Sequence, residues 1–321
     1  MNEDYLWDRS GEQDKEIMHL EGVLGQLRWQ GSWQPTTASN IPPWAQRKLL
    51  WTAAAAILLI GIAGTVFLHE VRTKNSVTSW RLSLAGGKEK VVRAGQVIET
   101  AKATHGVMES EFIGEVHIDP NSRLRVLSAR DDEHRLALDH GTIRALIWAP
   151  PTSFIVDTPS AHAVDLGCQY TLRVAKNGAG LLTVETGWVA FQWHDVESFI
   201  PAGAACITRQ GSGPGTPYFL NAPATMTAAL DQFDATGSDD ALKTVLSGAR
   251  PRDGLTLWHL LGRTHGEQRV EVLNRFVTLV NLPSDVSRRN ILAGDRKSMD
   301  AAWDALQLGD TSWWREWKRR W

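Results

Sequence analysis

The strongest constraint on the fold is an uncharged run of twenty residues, 49–68, which reads LLWTAAAAILLIGIAGTVFL. A helix rises about 1.5 Å per residue, so the run reaches roughly 30 Å, the thickness of the hydrocarbon core of a bilayer. The alternative is a buried core helix, but such helices usually carry a polar stripe. The run therefore predicts a transmembrane helix and a single-pass membrane protein.

Charge beside the run does not set its orientation. Arg47 and Lys48 precede it, and Arg72, Lys74 and Arg81 follow it, so the positive-inside rule favours neither direction. A short leading segment and a large trailing one are typical of an uncleaved signal anchor. We therefore expect the N-terminus inside the cell and the C-terminal region outside the cytoplasm.

The charges on the two sides of the uncharged run bear on whether the chain binds nucleic acid. Residues 1–48 carry seven acidic and five basic side chains, whereas residues 69–321 carry 29 of each. A neutral outer region lacks the basic surface that neutralises phosphates. We expect no direct binding of nucleic acid.

The N-terminal segment, residues 1–29, has an amphipathic pattern. Ser10 and Gln13 fit a capping box, and apolar residues then recur every three or four positions. One such helix cannot bury its own apolar face, so we predict a contact helix for a protein partner; the alternative is a solubilising tail. Residues 30–48, rich in polar residues and proline, are interpreted as a linker. The candidate contact residues are Leu6, Trp7, Ile17, Leu20, Leu24 and Leu27.

The central part, residues 80–220, consists of short runs rich in Val, Ile, Leu and Thr between Gly, Pro, Asn and Asp turn signals. This pattern predicts an all-β domain, sandwich-like and antiparallel. Residues 136–143 and 182–189 share an apolar-x-apolar-x-x-Gly-x-apolar pattern. Each is interpreted as a strand, a tight glycine turn and a return strand.

Residues 154–174 and 182–191 resemble the core motif of the FecR family, which reads F-x-V-x-T-P-x-A, then V-x-G-T-x-F-x-V, then V-x-V-x-x-G-x-V. Cys168 stands where the family has Thr, and Tyr170 where it has Phe. Because the motif consists of fold-forming residues, the resemblance indicates an architecture more than an activity. The matching positions are Thr158, Pro159, Ala161, Gly167, Val174, Val184, Gly187 and Val189.

The resemblance implies a bacterial inner-membrane protein with a cytoplasmic N-terminal segment, one membrane span and a periplasmic domain. It also implies regulation of an extracytoplasmic-function sigma factor, in the manner of an anti-sigma factor, and contact with an envelope or outer-membrane protein. The alternative function is an envelope scaffold or ligand-binding protein whose N-terminus serves only as an anchor.

Cys168 and Cys206 both fall in the region expected outside the cytoplasm, where thiols oxidise. We predict a disulfide between them; the alternative is two separate buried thiols. His162 lies near Cys168 in sequence, but six residues along one strand span about 20 Å, too far for a catalytic pair. No motif for a metal, a phosphate or paired carboxylates stands out, so we expect no enzyme activity and no cofactor.

Residues 222–312 change to a helical period and predict five short helices, the first ending at Gly237 and the second capped by Ser238. They are interpreted either as a surface for protein partners or as a cap on the β domain.

The tail, residues 313–321, reads WWREWKRRW. On a helix Trp314, Trp317 and Trp321 share one face flanked by cations, which favours contact with a membrane interface. Docking on the protein's own domain and a frayed end are the alternatives.

Overall fold

The chain divides into two units, residues 1–70 and residues 71–321. The structure is a computed structural model that describes residues 79–85, 87, 89–130, 132–312 and 314. The predictions for the N-terminal contact segment, the linker, the membrane span over 49–68 and the tail beyond residue 314 lie outside the described residues. Within the part that is described, no helix combines the length and the apolar character needed to cross a bilayer.

Sixteen strands form the first part of the second unit in the residues described. They are β1 Trp80–Leu84, β2 Lys90–Val92, β3 Val97–Glu99, β4 Gly106–Ser110, β5 Gly114–Ile118, β6 Arg123–Arg130, β7 Glu133–Ile147, β8 Phe154–Asp157, β9 His162–Asp165, β10 Gln169–Val174, β11 Gly180–Thr186, β12 Trp188–Trp193, β13 Val196–Pro201, β14 Ala204–Arg209, β15 Gly213–Pro214 and β16 Tyr218–Phe219.

The strands form two sheets that share β7. Sheet A has the order β2-β1-β4-β5-β7-β10-β11-β14, with β15 and β16 paired to β14, and sheet B has the order β3-β6-β7-β8-β9-β12-β13. Apolar side chains from both sheets belong to one buried core, because each strand alternates inward and outward positions. The prediction of an antiparallel β domain followed by a helical region is confirmed.

Strand β7 passes from one sheet to the other at Gly141. Its first half pairs with β6 and β8 in sheet B, and its second half pairs with β5 and β10 in sheet A. Gly141 has φ +107, and a Cβ there would lie 2.4 Å from the Cα of Ser122, so only glycine fits this bend. The interpretation of residues 136–143 as a strand, a turn and a return strand is therefore wrong.

The second segment with the glycine pattern, residues 182–189, also crosses from one sheet to the other. Strand β11 in sheet A ends before Gly187, and β12 then enters sheet B instead of pairing back on β11. The shared glycine pattern thus indicates a change of sheet at both sites, and the predicted hairpins are absent from both of these described segments.

One pair of strands departs from the antiparallel prediction. Strand β8 runs parallel to the first half of β7, with His134 opposite Phe154. The chain leaves β7 at the far end of sheet A, and the loop 148–153 brings it back to the level where β7 began, with the His134 N–H donating to the Ser153 carbonyl at 2.7 Å. A connection that returns to its starting level makes the next strand parallel.

Six α-helices and one short 3₁₀ turn follow in the described residues. They are α1 Ala224–Thr236, α2 Asp239–Gly248, the 3₁₀ turn Pro251–Asp253, α3 Gly254–Arg263, α4 Gly266–Leu279, α5 Arg288–Leu292 and α6 Arg296–Asp304. The five-residue helix α5 was not predicted, because it is too short to display a helical period.

The predicted helix ends between α1 and α2 are confirmed. Gly237 closes α1 in the left-handed conformation at φ 68, and its N–H donates to the Phe233 carbonyl. Ser238 caps α2, where its side chain accepts the N–H of Ala241.

Candidate functional site

Three of the family-motif residues, Thr158, Pro159 and Ala161, build the turn between β8 and β9. The Thr158 hydroxyl donates to the Ala161 carbonyl at 2.9 Å and accepts the Ala161 N–H at 2.9 Å. Pro159 follows Thr158 at the second position of this four-residue turn, where its fixed φ is favoured. These residues determine local backbone geometry and carry no reactive group.

Two further motif residues, Gly167 and Gly187, meet where the chain crosses between the sheets. Gly167 has φ +85 and Gly187 has φ +71, and a Cβ on Gly187 would lie 2.1 Å from the carbonyl oxygen of Gly167. Beside them the Leu166 N–H donates to the Trp188 carbonyl at 3.2 Å. The motif therefore marks a close approach of two backbone crossings.

Both cysteines are free, buried thiols, which differs from the predicted disulfide. Cys206 lies opposite Leu182, which lies opposite Leu172, four residues beyond Cys168. Two strand spacings across the sheet and four residues along it place the two Cα atoms about 16 Å apart. The Cα atoms of a disulfide lie within about 7 Å. The register thus keeps the thiols apart, as in the alternative of two separate buried thiols.

Cys168 instead pairs with Asp165, a contact that sequence reasoning missed. The Cys168 thiol donates to one carboxylate oxygen of Asp165, and the Gly167 N–H donates to the other at 2.7 Å. The available signal was the Asp-x-Gly spacing, since an Asp side chain often accepts the N–H two residues on. His162 is hydrogen-bonded elsewhere: its Nδ1 lies 2.7 Å from a carboxylate oxygen of Asp157.

Burial is the largest cause of the pKa shifts of Asp165 and Cys168. It raises the pKa of Asp165 to about 7, against the hydrogen bonds from Cys168 and Gly167 that lower it. Burial, followed by the charge of Asp165, also raises the pKa of the Cys168 thiol far above its usual range. Burial also raises the pKa of Tyr170, whose buried hydroxyl has no hydrogen-bond partner among the described residues. The two departures from the family motif, Cys168 and Tyr170, thus lie in one buried polar cluster, and its thiol is unreactive.

The helical region joins the β domain through a cluster of aromatic rings. Trp188 stacks on Phe199 with ring centroids 4.9 Å apart, and Trp303 meets Phe199 edge-on at 5.5 Å. Trp258 contacts Trp303 edge-on at 4.7 Å. Such geometries are favoured by the ring quadrupoles, and the cluster seats α3 and α6 on β12 and β13.

Polar contacts surround this cluster. The Phe199 N–H donates to Nε2 of His259 at 3.0 Å, and Arg263 donates to the Ser198 hydroxyl at 2.6 Å and to the Pro214 carbonyl at 3.1 Å. Helix α3 therefore packs directly on the β domain. We call the region from α1 to α6 the helical cap, since the cap interpretation describes this packing.

Trp314, predicted to lie at a membrane interface, is buried against the protein instead. Its ring stacks over Phe199 at 6.4 Å, and its Nε1 donates to a carboxylate oxygen of Glu197 at 3.0 Å. A ring so enclosed has no surface to offer a bilayer, so docking on the protein's own domain describes Trp314. Trp317 and Trp321 lie outside the described residues.

An apolar patch is exposed at one end of sheet A. Phe112 is 69% exposed, Trp148 55% and Leu146 42%. The Trp148 Nε1 donates to the Glu111 carbonyl at 3.0 Å, and its N–H donates to the Ile113 carbonyl at 3.0 Å. These bonds hold the indole beside the turn that carries Phe112. We call Phe112, Leu146 and Trp148 the Trp148 patch.

Polar side chains lie on both sides of Leu146 in the Trp148 patch. Glu115 lies opposite Leu146 on β5, and Gln169, opposite Leu146 on β10, donates to Glu185 at 2.7 Å. Exposed aromatic residues with a polar rim are typical of protein contact sites. The sequence signal was the unbroken apolar run over residues 145–149, in which the alternation expected of a half-exposed strand fails.

Titratable side chains elsewhere form structural pairs. His117 pairs with Glu115 at 2.6 Å, and Arg135 holds Asp157 through two hydrogen bonds of 2.8 and 2.9 Å. Among the residues described, no three His, Cys, Asp or Glu side chains are grouped so that they could hold a metal ion.

Comparison with known proteins identifies no family. No protein-family model matches the chain, and none of the curated proteins matches it. Among solved structures, the chain is similar to a candidate anti-sigma factor from Parabacteroides distasonis, with 18% identity and a TM-score of 0.34 over 43% of this chain and 65% of that one. A second crystal structure of the same description gives 18% identity and a TM-score of 0.34, over 43% and 64% of the two chains. This chain therefore spans less than two thirds of the structures it matches.

Proposed function

We propose that the chain is a membrane-anchored regulator of the FecR type, which passes an envelope signal to a cytoplasmic extracytoplasmic-function sigma factor through protein contacts. The observation that carries this proposal is the Trp148 patch, because a rigidly held, exposed aromatic group on a β domain is suited to binding a protein. The family-motif residues support it, since they form turns and crossings of the β domain and leave its outer surface to partners.

The proposed topology has three parts. Residues 1–29 contact the sigma factor in the cytoplasm, residues 49–68 span the inner membrane, and the β domain with its helical cap lies in the periplasm. The Trp148 patch then contacts an envelope or outer-membrane protein there. A reporter enzyme active only in the periplasm, fused after residue 321, should be active, and the same reporter fused before residue 1 should be silent. The opposite pattern would overturn this topology.

The sigma-factor contact is tested in the full chain, purified from membranes with each of the organism's sigma factors. Leu20→Asp with Leu24→Asp introduces charge into the apolar face of the predicted N-terminal helix. We expect this double variant to lose a specific sigma factor that the native chain retains. Met18→Asp with Gln26→Asp is the matched control, because it adds the same charge to the opposite face.

The envelope contact is tested by transcription that depends on the sigma factor so identified. Phe112→Ser with Leu146→Ser removes apolar surface from the Trp148 patch without entering the core. We expect the transcriptional response to be lost while binding of the sigma factor and the thermal midpoint stay unchanged. If neither double variant changes transcription, the scaffold function gains support and the regulatory one fails.

A further inference from the structure

A groove of about 510 Å³ lies in the helical cap, away from the Trp148 patch. It runs between the 3₁₀ turn at Pro251–Asp253, the C-terminal end of α4 and the segment that follows α6. Its volume falls within the range of binding sites for small molecules and short peptides. The lining residues are Pro251, Arg252, Leu255, Leu279, Val280, Asn281, Pro283, Asp304, Ala305, Leu306, Gln307 and Leu308.

The floor of the groove is apolar and closely packed. Leu255 is fully buried, and a Cβ on Gly254 would lie 2.7 Å from Leu306 and 2.9 Å from Val280. Glycine at this position therefore lets the start of α3 approach both walls.

The walls keep apolar surface open to solvent. Leu279, Leu306 and Leu308 are only partly buried although they pack against the core. Covering such surface is favourable, at about 25 cal/mol per Å² of apolar area removed from water. A ligand with apolar side chains gains free energy by filling this groove.

The groove is lined by one basic residue, Arg252, and one acidic residue, Asp304, which form no ion pair with each other. The Arg252 guanidinium lies over the Phe219 ring, 4.4 Å from its centroid, an arrangement that orients the cation. Among the described residues, no Asp or Glu pairs with Arg252, whereas the neighbouring Arg250 is paired with Asp253 at 2.9 Å. Arg252 is therefore available to a carboxylate from outside.

The end of α4 supplies a hydrogen-bond acceptor at the same place. Helix α4 ends at Leu279, and among the described residues no group donates to the Leu279 carbonyl. At the end of α6, by contrast, the Asp304 carbonyl already accepts the N–H of Gln307 at 3.1 Å. A backbone N–H of a bound peptide can donate to the Leu279 carbonyl, which a simple long-chain carboxylate cannot do.

We propose that this groove binds an extended segment of a protein partner, with at least two apolar side chains in the groove and one Asp or Glu carboxylate at Arg252. The site shares no lining residue with the Trp148 patch. Its occupancy does not depend on the regulatory function proposed above.

The test begins with the full chain in phosphatidylcholine nanodiscs and a displayed library of random nine-residue peptides, after depletion on empty nanodiscs. We expect enrichment of peptides that combine large apolar residues with Asp or Glu. The best peptide is then made with Glu, Gln or Lys at its acidic position, and its binding is measured by fluorescence anisotropy. The Glu peptide should bind about threefold tighter than the Gln peptide at low salt, and the Lys peptide weakest.

Variants of the chain locate the site. Arg252→Gln should remove the preference for Glu over Gln, whereas Arg173→Gln, the same change on the exposed face of sheet A, should leave it intact. Leu279→Ser with Leu308→Ser should weaken all three peptides. The comparison of the Glu, Gln and Lys peptides uses the native chain, so it remains a valid test even if a variant fails to fold. Enrichment of no peptide, enrichment of peptides without acids, or equal effects of Arg252→Gln and Arg173→Gln would each overturn the proposal.

Discussion

His259 accepts the backbone N–H of Phe199 at its Nε2, 3.0 Å away, while its Nδ1 lies 2.9 Å from the Leu255 carbonyl. A carbonyl only accepts and a backbone N–H only donates, so the proton of the neutral ring is on Nδ1. Strand β13 pairs on one side with β12, and His259 satisfies a backbone donor on its other side. The helical cap thereby covers an edge of sheet B that would otherwise be open to pairing.

Replacing this imidazole should destabilise the protein. His259→Phe keeps a ring in the aromatic cluster but leaves the buried Phe199 N–H without an acceptor, at a cost of about 1–3 kcal/mol in the free energy of unfolding. Urea titration followed by tryptophan fluorescence measures this loss. His265→Phe, at an exposed histidine just before α4, should change the free energy of unfolding little. Equal effects of the two variants would contradict the role of His259 as acceptor for the Phe199 N–H.

Asp165 should make stability fall as pH rises. Its pKa in the folded protein is raised to about 7, against about 3.9 in an unfolded chain. Below pH 4 both states hold the proton, so the folded state loses stability only as pH rises from about 4 to 7. The full difference corresponds to about 4 kcal/mol.

Asp165→Asn removes this titration. We expect the difference in urea midpoint between Asp165→Asn and the native chain to shift in favour of the variant between pH 4 and pH 8. Asp195→Asn, at an exposed carboxylate, is the matched control and should show a constant difference. A constant difference for Asp165→Asn as well would mean that this carboxyl is ionised throughout.

The two crossing glycines should respond differently to the same substitution. Gly167→Ala places a Cβ in open space, so it costs only the left-handed conformation, about 1–2 kcal/mol. Gly187→Ala forces a Cβ against the Gly167 carbonyl oxygen and should cost more than about 3 kcal/mol. Thermal unfolding of both variants measures the contrast, and similar midpoints would show that the crossing relaxes easily.

The thiols should be free and protected in the folded protein. Burial raises the pKa of Cys206 to about 12 and that of Cys168 still further, so neither is a thiolate near pH 8. Iodoacetamide should add nothing to the folded chain and two groups to the unreduced, unfolded chain, as measured by mass spectrometry. A Cys168–Cys206 peptide after digestion without reductant would refute the separation of the thiols.

Local patterns in the sequence predicted the elements well, because strands and helices follow from the spacing of apolar residues. The ends of α1 and α2 at Gly237 and Ser238 were readable for the same reason, since caps depend on neighbouring residues. Pairing partners were not readable. Gly141 and Gly187 carry the same local signal as a hairpin turn, and only contacts distant in sequence decide that the chain changes sheet there.

Contacts between residues distant in sequence also explain why the candidate site was predicted only in part. Residue type and compartment suggested a disulfide, but the strand register, which depends on the whole sheet, separates Cys168 from Cys206. The sequence favours a membrane contact for Trp314, because its partner Phe199 lies 115 residues earlier and leaves no local signal. Arg252 and the groove of the helical cap gave no signal at all, since the groove forms from the ends of helices that are separated in the chain.

Strand β7 gives the β domain a continuous mechanical path. Its fifteen residues belong to sheet A at one end and to sheet B at the other, so tension applied to one sheet reaches the other along covalent bonds. In a sandwich whose sheets touch only through side chains, the layers can slide past each other under load. Here a pull on the outer strands of sheet A is carried through Gly141 into the sheet that holds the helical cap.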